Sequence, residues 1–350
     1  MMRKVTRKPL EIGVSWLSKS DVMDELPPAA PLQDHLRTRI LSLTGGGIRG
    51  YFSARALQML ETEADTKIQD SFNTYSGTSI GGLIAIGLAV GISPETIATA
   101  IRQHGPTIFK KKWHRGLTNP WRLLRTAYPQ KPLRDAVEAI LGDKAKTKLG
   151  EVEVPLLVPA LDFRRSAPRI FVSKPLAGAD DDLEITLLDV ALATSAAPTY
   201  FPPHRIRDGI FVDGGLLANS PDMIAAQRCS DSLGADWNGI RILSVGTAAF
   251  EATKDGQMKS PGAARWMSKH DLFGVTIDAQ ARLSLSYAKA QLGSRLYRLD
   301  ESPSRPIALD DATDGALSDL EKAADRAVKR LKGDSQAWNA FLARRQRSQL

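Results

Sequence analysis

Two apolar runs early in the chain are each followed at once by a glycine-rich turn and then by a helical pattern. The first run is RILSLT (39–44), which leads into GGGIRG (45–50) and the helical spacing of YFSARALQMLETEA (51–64). The second run is FNTYSG (72–77), which leads into SIGGLIAIGLAVG (79–91). Parallel strands need a helical crossover between them. A strand–turn–helix unit that occurs twice therefore predicts an α/β fold with a mainly parallel sheet.

Length and composition support a globular chain. It has 350 residues, of which 43% are hydrophobic and 25% charged, enough for a sizeable core. The longest apolar run, 80–92, is too short to span a bilayer, and the N-terminus has no secretory pattern. The single cysteine, Cys229, allows no internal disulfide. We therefore expect a cytoplasmic protein.

The organisation along the chain suggests three parts. Residues 1–37 are predicted to form an N-terminal arm, residues 38–250 the catalytic α/β core, and residues 251–350 a helical part packed on that core. A helical and basic insertion is predicted at about 93–150.

The predicted insertion concentrates the positive charge of the chain. Between residues 102 and 150, twelve Lys or Arg residues stand against three acids, a net charge of +9, whereas the whole chain carries +8. The same segment also carries Trp113, His114, Trp121 and Tyr128. Basic residues interleaved with aromatic ones suit anionic lipid headgroups, nucleotides or nucleic acid. A solvated basic face explains the same pattern.

Gly77, Thr78, Ser79, Ile80 and Gly81 fit the pattern G-x-S-x-G, which is typical of a serine held at a sharp strand-to-helix turn. A strand pattern precedes Ser79 and a helix pattern follows it, as this motif requires. The alternative is a serine that only caps the helix. A nucleophile also needs a base, and it needs hydrogen-bond donors that stabilise the developing oxyanion. The sequence must therefore also supply candidates for both.

The donors are expected in the loop Gly45, Gly46, Gly47, Ile48, Arg49 and Gly50. Successive glycines let backbone N–H groups point towards a negative charge. The same loop could cradle a phosphate, but it lacks the Lys-Ser/Thr pair of a P-loop. It also fits G-x-G-x-x-G, yet no acidic residue ends a second strand about twenty residues on, as dinucleotide binding needs.

The candidate base is Asp213 in FVDGG, at the end of a predicted strand and followed by Gly214 and Gly215. A partly desolvated carboxylate there could take the serine proton directly. The alternative is a Ser–Asp–His triad completed by His204 or His270. The sequence alone leaves both arrangements open.

Taken together, GGGIRG, GTSIGG, ATSAAPTYFPP and VDGGLLANSP resemble the patatin-like phospholipase family in order and context, over residues 40–247. The resemblance implies a three-layer patatin-like fold, with a mainly parallel central sheet, and phospholipid acyl hydrolysis. Ser79 would be the nucleophile, Asp213 the base and Gly45–Gly50 the oxyanion hole, with Arg49 ordering the hole or favouring an anionic headgroup. No metal or cofactor is implied. Many members begin the glycine loop with Asp, whereas this chain has Thr44.

The sequence also resembles the nucleotide-activated phospholipases of bacterial anti-phage (CBASS) systems. This implies membrane phospholipid as substrate, peripheral contact with the inner membrane and a cyclic dinucleotide activator. Specific nucleic-acid binding is not expected, and a homo-oligomer is a further expectation. The alternatives are an esterase that acts on soluble esters through a Ser–Asp–His triad and a non-catalytic nucleotide-binding protein.

Overall fold

The computed structural model describes residues 38–110, 126–179, 181–250 and 272–342. Within these ranges, eight strands form one sheet. The strands are β1 (Arg39–Leu43), β2 (Thr74–Gly77), β3 (Leu156–Asp162), β4 (Ala167–Val172), β5 (His204–Ile206), β6 (Gly209–Asp213), β7 (Arg241–Val245) and β8 (Leu296–Leu299). Their order across the sheet is β5-β6-β3-β2-β1-β7-β8, with β4 also pairing with β3.

The centre of the sheet is parallel. β1 pairs in parallel with β2 and β7, β2 pairs in parallel with β3, and β7 with β8. The antiparallel pairs, β3–β4, β3–β6 and β5–β6, lie towards one side. All five residues of β1 are buried, as expected for a strand covered on both faces. The predicted α/β fold with a mainly parallel sheet is confirmed.

Helices cover both faces of this sheet. They are α1 (Gly50–Ala64), α2 (Ile68–Ser71), α3 (Ile80–Ala89), α4 (Pro94–Ile108), α5 (Gln130–Leu141), α6 (Leu187–Thr194), α7 (Gly215–Ala218), α8 (Asp222–Leu233), α9 (Leu272–Leu292), α10 (Asp314–Gly333) and α11 (Ser335–Leu342). The Ser93 hydroxyl caps α4 by accepting the Thr96 N–H at 3.2 Å, with Pro94 in the first turn.

The side chains of β1 divide between two hydrophobic clusters. Leu41 and Leu43 belong to the larger cluster, with residues of α1, α3, α4 and α10. Ile40 belongs to the smaller cluster, with residues of α8 and α9. Since side chains alternate between the faces of a strand, the two clusters are the two helix–sheet interfaces of a three-layer architecture, as predicted.

Two features of the predicted organisation need comment. β8 lies beyond residue 250 and pairs with β7, so the part of the chain expected to be helical also contributes an edge strand. Trp113, His114 and Trp121, like the arm at 1–37 and His270, lie outside the described residues. In the described ranges, no helix has both the length and the hydrophobicity needed to cross a membrane.

Candidate active site

Ser79 occupies a strained turn between β2 and α3. Its backbone has φ 55° and ψ −126°, a conformation that non-glycine residues rarely adopt. The Ser79 N–H donates to Thr194 Oγ1 at 2.9 Å, and Thr194 Oγ1 donates to the carbonyl of Pro159 at 2.7 Å. Thr194, at the end of α6, therefore links the strained turn to strand β3 and stabilises it. This turn matches the predicted strand-to-helix turn of G-x-S-x-G.

The two glycines of this motif are required by close backbone packing. A Cβ at position 77 would lie 2.2 Å from the carbonyl oxygen of Gly81, and one at position 81 would lie 2.4 Å from that of Leu43. Thr78 is buried, and its hydroxyl donates to the Ala218 carbonyl at 2.6 Å. These contacts leave Ser79, which is partly exposed, as the polar side chain of the turn that lines the cavity.

Asp213 ends β6 and meets Ser79. The Ser79 hydroxyl donates to Asp213 Oδ2 at 2.7 Å, and the Gly215 N–H donates to Asp213 Oδ1 at 2.7 Å. A Cβ at position 214 would lie 2.3 Å from the Pro159 carbonyl oxygen, so glycine lets the chain turn against β3 at this point. Both carboxylate oxygens thus have a donor, and one of the donors is the candidate nucleophile.

Burial changes the acidity of Asp213. Its side chain is almost fully enclosed, at 2% exposure. Loss of solvation raises the pKa of Asp213 to about 6, although hydrogen bonds from Gly215 and Ser79 act in the opposite direction. A carboxylate with this pKa is ionised at neutral pH and is a stronger base than an exposed aspartate.

Some backbone N–H groups of the glycine loop donate hydrogen bonds within the protein, whereas others do not. The Gly45 N–H donates to the Asn219 carbonyl at 3.1 Å, and the Ile48 N–H donates to the Leu309 carbonyl at 2.9 Å. Those of Arg49 and Gly50 bond within the loop itself. In the described part of the chain, no hydrogen bond is donated by the N–H groups of Gly46 and Gly47, which line the same cavity as Ser79. Of the six residues predicted for the oxyanion hole, these two therefore have N–H groups that are not engaged elsewhere in the described structure.

The side chains around this loop also have defined partners. Thr44, which stands where many members of the family carry Asp, accepts a hydrogen bond at 2.8 Å from Arg298 Nη1, and Arg298 also pairs with Asp300 at 2.8 Å. Arg49 is buried, and its guanidinium lies 3.8 Å from the carboxylate of Asp278 on α9. The Thr44 hydroxyl is therefore linked to β8 by a partly buried arginine.

Ser79 opens into a largely apolar cavity. Gly46, Gly47, Asp213 and Asn219 lie at its polar end, and His104 is a further polar lining group. Helices α3, α4, α5 and α9 contribute apolar side chains to its wall: Ile80, Leu83, Ile101, Ile108, Leu133, Ala136, Ile140, Phe273 and Ile277. Of residues 83–90 on and just after α3, only Leu83 lines the cavity, because the others face the core.

His204, one of the two candidate histidines, does not join the Ser79–Asp213 pair. His204 is buried at the start of β5, with Nε2 3.0 Å from Asp189 Oδ1 and Nδ1 3.1 Å from Gln130 Nε2. It makes no hydrogen bond to Ser79 or Asp213 in this arrangement. The other triad candidate, His270, lies outside the described residues.

Two residues that support the site were not singled out in the sequence. The Thr194 hydroxyl accepts a hydrogen bond from the Ser79 N–H, and the backbone carbonyl of Asn219 accepts one from the Gly45 N–H. Both lie inside quoted motifs, ATSAAPTYFPP and VDGGLLANSP. Their roles depend on contacts with residues more than a hundred positions away, which motif order alone does not specify.

The chain is similar to known proteins over much of its length. Residues 41–226 match the family model described as patatin-like phospholipase. A cGAMP-activated phospholipase from Escherichia coli is 32% identical over 318 residues, covering 82% of this chain and 87% of that protein. A protein of the same description from Vibrio cholerae is 31% identical over 326 residues, covering 84% and 91%. Among solved structures, VipD from Legionella pneumophila has a TM-score of 0.44 at 12% identity, covering 84% of this chain and 67% of that one.

The family model spans more than half of the chain, and the bacterial relatives align with most of its length. The chain therefore belongs to the patatin-like phospholipase family and is a lipid acyl hydrolase.

Proposed function

We propose that this chain hydrolyses acyl esters of membrane phospholipids with Ser79 as nucleophile and Asp213 as base. The observation that carries the proposal is the 2.7 Å hydrogen bond from Ser79 Oγ to the buried Asp213 carboxylate. This pair lies at the polar end of an apolar cavity. A nucleophile bonded to a base, next to a space that fits hydrocarbon, is the arrangement that acyl transfer from a lipid requires.

In the first half of the reaction, Ser79 Oγ attacks the ester carbonyl as its proton passes to Asp213 Oδ2. The N–H groups of Gly46 and Gly47 stabilise the oxyanion that forms. The carbon–oxygen bond to the lysolipid then breaks, and the departing oxygen takes the proton from Asp213. The products of this half are an acyl-serine and a free lysolipid alcohol.

In the second half, water attacks the acyl-serine and gives its proton to Asp213. The Ser79 Oγ–acyl bond breaks, Asp213 returns the proton to Ser79 Oγ, and the fatty acid leaves. Since one carboxylate serves as base and acid in turn, a pKa near neutrality favours both transfers. The raised pKa of Asp213, about 6, suits this double role.

We also propose that the activity of this chain is regulated by a ligand. The bacterial relatives are described as cGAMP-activated, and we propose that a cyclic dinucleotide likewise activates this chain in anti-phage defence. In that role the protein works from the cytoplasm as a peripheral enzyme on the inner membrane. Its ligands are phospholipid and the nucleotide activator, and specific nucleic acid has no part in the proposal.

A combined labelling and hydrolysis experiment tests the proposal. The full-length chain is treated with a fluorophosphonate probe and with phospholipid vesicles, with and without a panel of cyclic di- and trinucleotides that includes cGAMP. We expect labelling and fatty-acid release, both lost in Ser79→Ala and kept in Ser304→Ala, a control at an exposed serine. Absence of labelling under every condition would refute the hydrolase mechanism, and equal activity throughout the panel would refute nucleotide activation.

The pKa of Asp213 predicts the pH dependence of catalysis. The base must be ionised to accept the Ser79 proton, and its pKa is about 6 because of burial. We expect kcat/KM for a soluble ester to rise about tenfold per pH unit below 6 and to level off above about 7, since kcat/KM reports groups of the free enzyme. Initial rates at saturating activator between pH 4.5 and 8 measure the profile. A flat profile from pH 5 to 7 would exclude Asp213 as the titrating base.

The cavity predicts a preference that depends on acyl length. Ala136 lines the cavity from α5, so Ala136→Phe should shorten the space for the chain. Exclusion of two methylene groups costs about 1.6 kcal/mol, or roughly fifteenfold in kcat/KM. We expect that loss for a long-chain ester relative to a short-chain ester in the same variant. Ala139→Phe, on the exposed side of α5, is the matched control, and an equal loss for both esters would contradict the assignment.

A further inference from the structure

The outer face of α9 carries a continuous apolar stripe. Leu272, Val275, Leu283 and Tyr287 are 40%, 38%, 56% and 63% exposed. They are four of the six large hydrophobic side chains that are exposed in the described residues, the others being Phe163 and Leu233. At about 100° per residue, all four fall within roughly 120° of the helix circumference. The exposed Ala279 and Ala290 lie on the same stripe.

The threonine and serine hydroxyls on this outer face already have hydrogen-bond partners. The Thr276 hydroxyl donates to the Leu272 carbonyl at 2.8 Å, and the Ser286 hydroxyl donates to the Leu283 carbonyl at 2.7 Å. Covering a hydroxyl that has no partner would carry a desolvation cost. Because these two hydroxyls bond to their own helix, the face can be covered by an apolar phase at little such cost.

The opposite face of α9 is part of the candidate active site. Phe273 and Ile277 line the cavity that contains Ser79. Gln280 accepts the Asn219 N–H at 2.7 Å, and the Ser284 hydroxyl donates to the Ser220 carbonyl at 2.8 Å. One helix therefore has the substrate cavity on its inner side and an open apolar stripe on its outer side.

The charges of α9 agree with an anionic partner. Its charged residues are Asp278, Arg282 and Lys289. The carboxylate of Asp278 lies near Arg49 on the inner side, whereas Arg282 and Lys289 are exposed beside the stripe. A second copy of the chain, packed through the same face, would bring like charges towards each other. Anionic headgroups complement them.

We propose that the outer face of α9, defined by Leu272, Val275, Ala279, Leu283, Tyr287 and Ala290, is the surface on which this protein docks to an anionic phospholipid bilayer. The proposal rests on the proposed phospholipase function. A helix with aliphatic and tyrosine side chains on one side and basic residues at the margin suits the interface between headgroups and acyl chains. Docking through this face places α9, which forms part of the cavity wall, next to the lipid to be hydrolysed.

Vesicle sedimentation tests the docking face directly. Binding is measured in the Ser79→Ala background, so that the vesicles stay intact, with phosphatidylethanolamine–phosphatidylglycerol vesicles and with phosphatidylcholine vesicles. The double variant Leu283→Glu/Tyr287→Glu is compared with Leu233→Glu, which adds a charge at an exposed leucine of α8. All samples are run with and without cGAMP, and thermal unfolding checks that each variant is folded.

We expect the double variant to bind anionic vesicles at least about tenfold more weakly, because two apolar contacts are lost and two like charges are added. Leu233→Glu should stay within about twofold of its parent. With Ser79 restored, the ratio of vesicle hydrolysis to soluble-ester hydrolysis should fall by a similar factor in the double variant. Binding should be stronger to the anionic vesicles than to phosphatidylcholine.

Several outcomes would overturn the docking face. They are unchanged binding in the double variant, no binding of the parent to either vesicle with or without cGAMP, and a dimeric parent whose double variant is monomeric but still binds. Light scattering measures the mass. Failure of the phospholipase function is read separately, because it appears as absent hydrolysis by the Ser79 protein whatever the binding result.

Discussion

Asp213→Asn is expected to lower kcat about a thousandfold or more while the chain remains folded. The asparagine amide matches the carboxylate in shape and can keep the hydrogen bond from the Gly215 N–H. It cannot take the proton of Ser79, which now donates to Asp213 Oδ2 at 2.7 Å. General-base catalysis is worth about a hundredfold to ten-thousandfold, and this base serves both halves of the reaction. Steady-state hydrolysis of a soluble ester, at saturating activator, measures the loss.

Thermal unfolding of the same variant should separate catalysis from folding. The pKa of Asp213 is raised in the folded state to about 6 by burial, so the folded chain binds this proton more tightly than the unfolded chain. The ionised carboxylate therefore reduces stability progressively as the pH rises from about 4 to 6, and the reduction persists at pH 7. Because Asp213→Asn removes a buried charge, its unfolding temperature at pH 7 should be no lower than that of the wild type.

Asp189→Asn is the matched control for the base. Asp189 holds His204, and this contact keeps the pKa of Asp189 below its usual range. If Ser79 and Asp213 act without histidine, Asp189→Asn and His204→Gln should each keep kcat within about threefold. Loss of activity in both, at unchanged unfolding temperature, would instead support a triad through His204. Undiminished turnover in Asp213→Asn would exclude Asp213 as the base.

The local parts of the site could be predicted from sequence because each is encoded within a few residues. The turn at Ser79 needs Gly77 and Gly81 at fixed positions, since any side chain there would collide with backbone. Asp213 is recognisable because a short apolar strand ends in an acid followed by two glycines. The long helix α9 lies within residues 251–350, the part of the chain expected to be helical.

The parts that depend on distant contacts could not be predicted. β8 is only four residues long and contains Arg298, whose charge fits the sheet because Asp300 and the hydroxyls of Thr44 and Ser244 surround it. The acyl cavity could not be predicted for the same reason. Residues of α4 and α5 line it only because the fold packs these helices beside Ser79. Apolar periodicity marks the buried side of a helix but does not distinguish core from cavity.

Tertiary structure also determines which N–H groups of the glycine loop are engaged in hydrogen bonds. The sequence presents six equivalent residues, Gly45–Gly50, as donors. In the fold, Asn219 and Leu309 supply carbonyls that engage the N–H groups of Gly45 and Ile48. These bonds fix the loop, and Gly46 and Gly47 are left to face the cavity. A loop held in place by hydrogen bonds stabilises a developing charge better than a flexible loop, because little reorganisation is needed during the reaction.

Gly46→Ala is therefore expected to lower kcat by about 100- to 1,000-fold, the usual cost of one misplaced oxyanion donor. Gly46 has φ 176°, which is outside the left-handed region that favours glycine. The obstacle is steric, because a Cβ there would lie 2.5 Å from Thr247 Oγ1 and 2.8 Å from Thr247 Cβ. The loop must shift, and with it the N–H groups at 46 and 47. The effect should appear in kcat more than in KM, since these donors act on the charge of the transition state.

The double variant Gly46→Ala/Thr247→Gly makes this prediction specific. Removal of the Thr247 side chain takes away the atoms that the added methyl would meet, so at least about tenfold of the lost kcat should return. Gly333→Ala, where no atom lies within 4 Å of the added Cβ, should leave kcat unchanged. Recovery in the double variant would tie the loss to the position of the loop, because the methyl group itself is still present. A loss confined to KM in Gly46→Ala would instead assign Gly46 to substrate binding, and the oxyanion hole would then have to be formed by other donors.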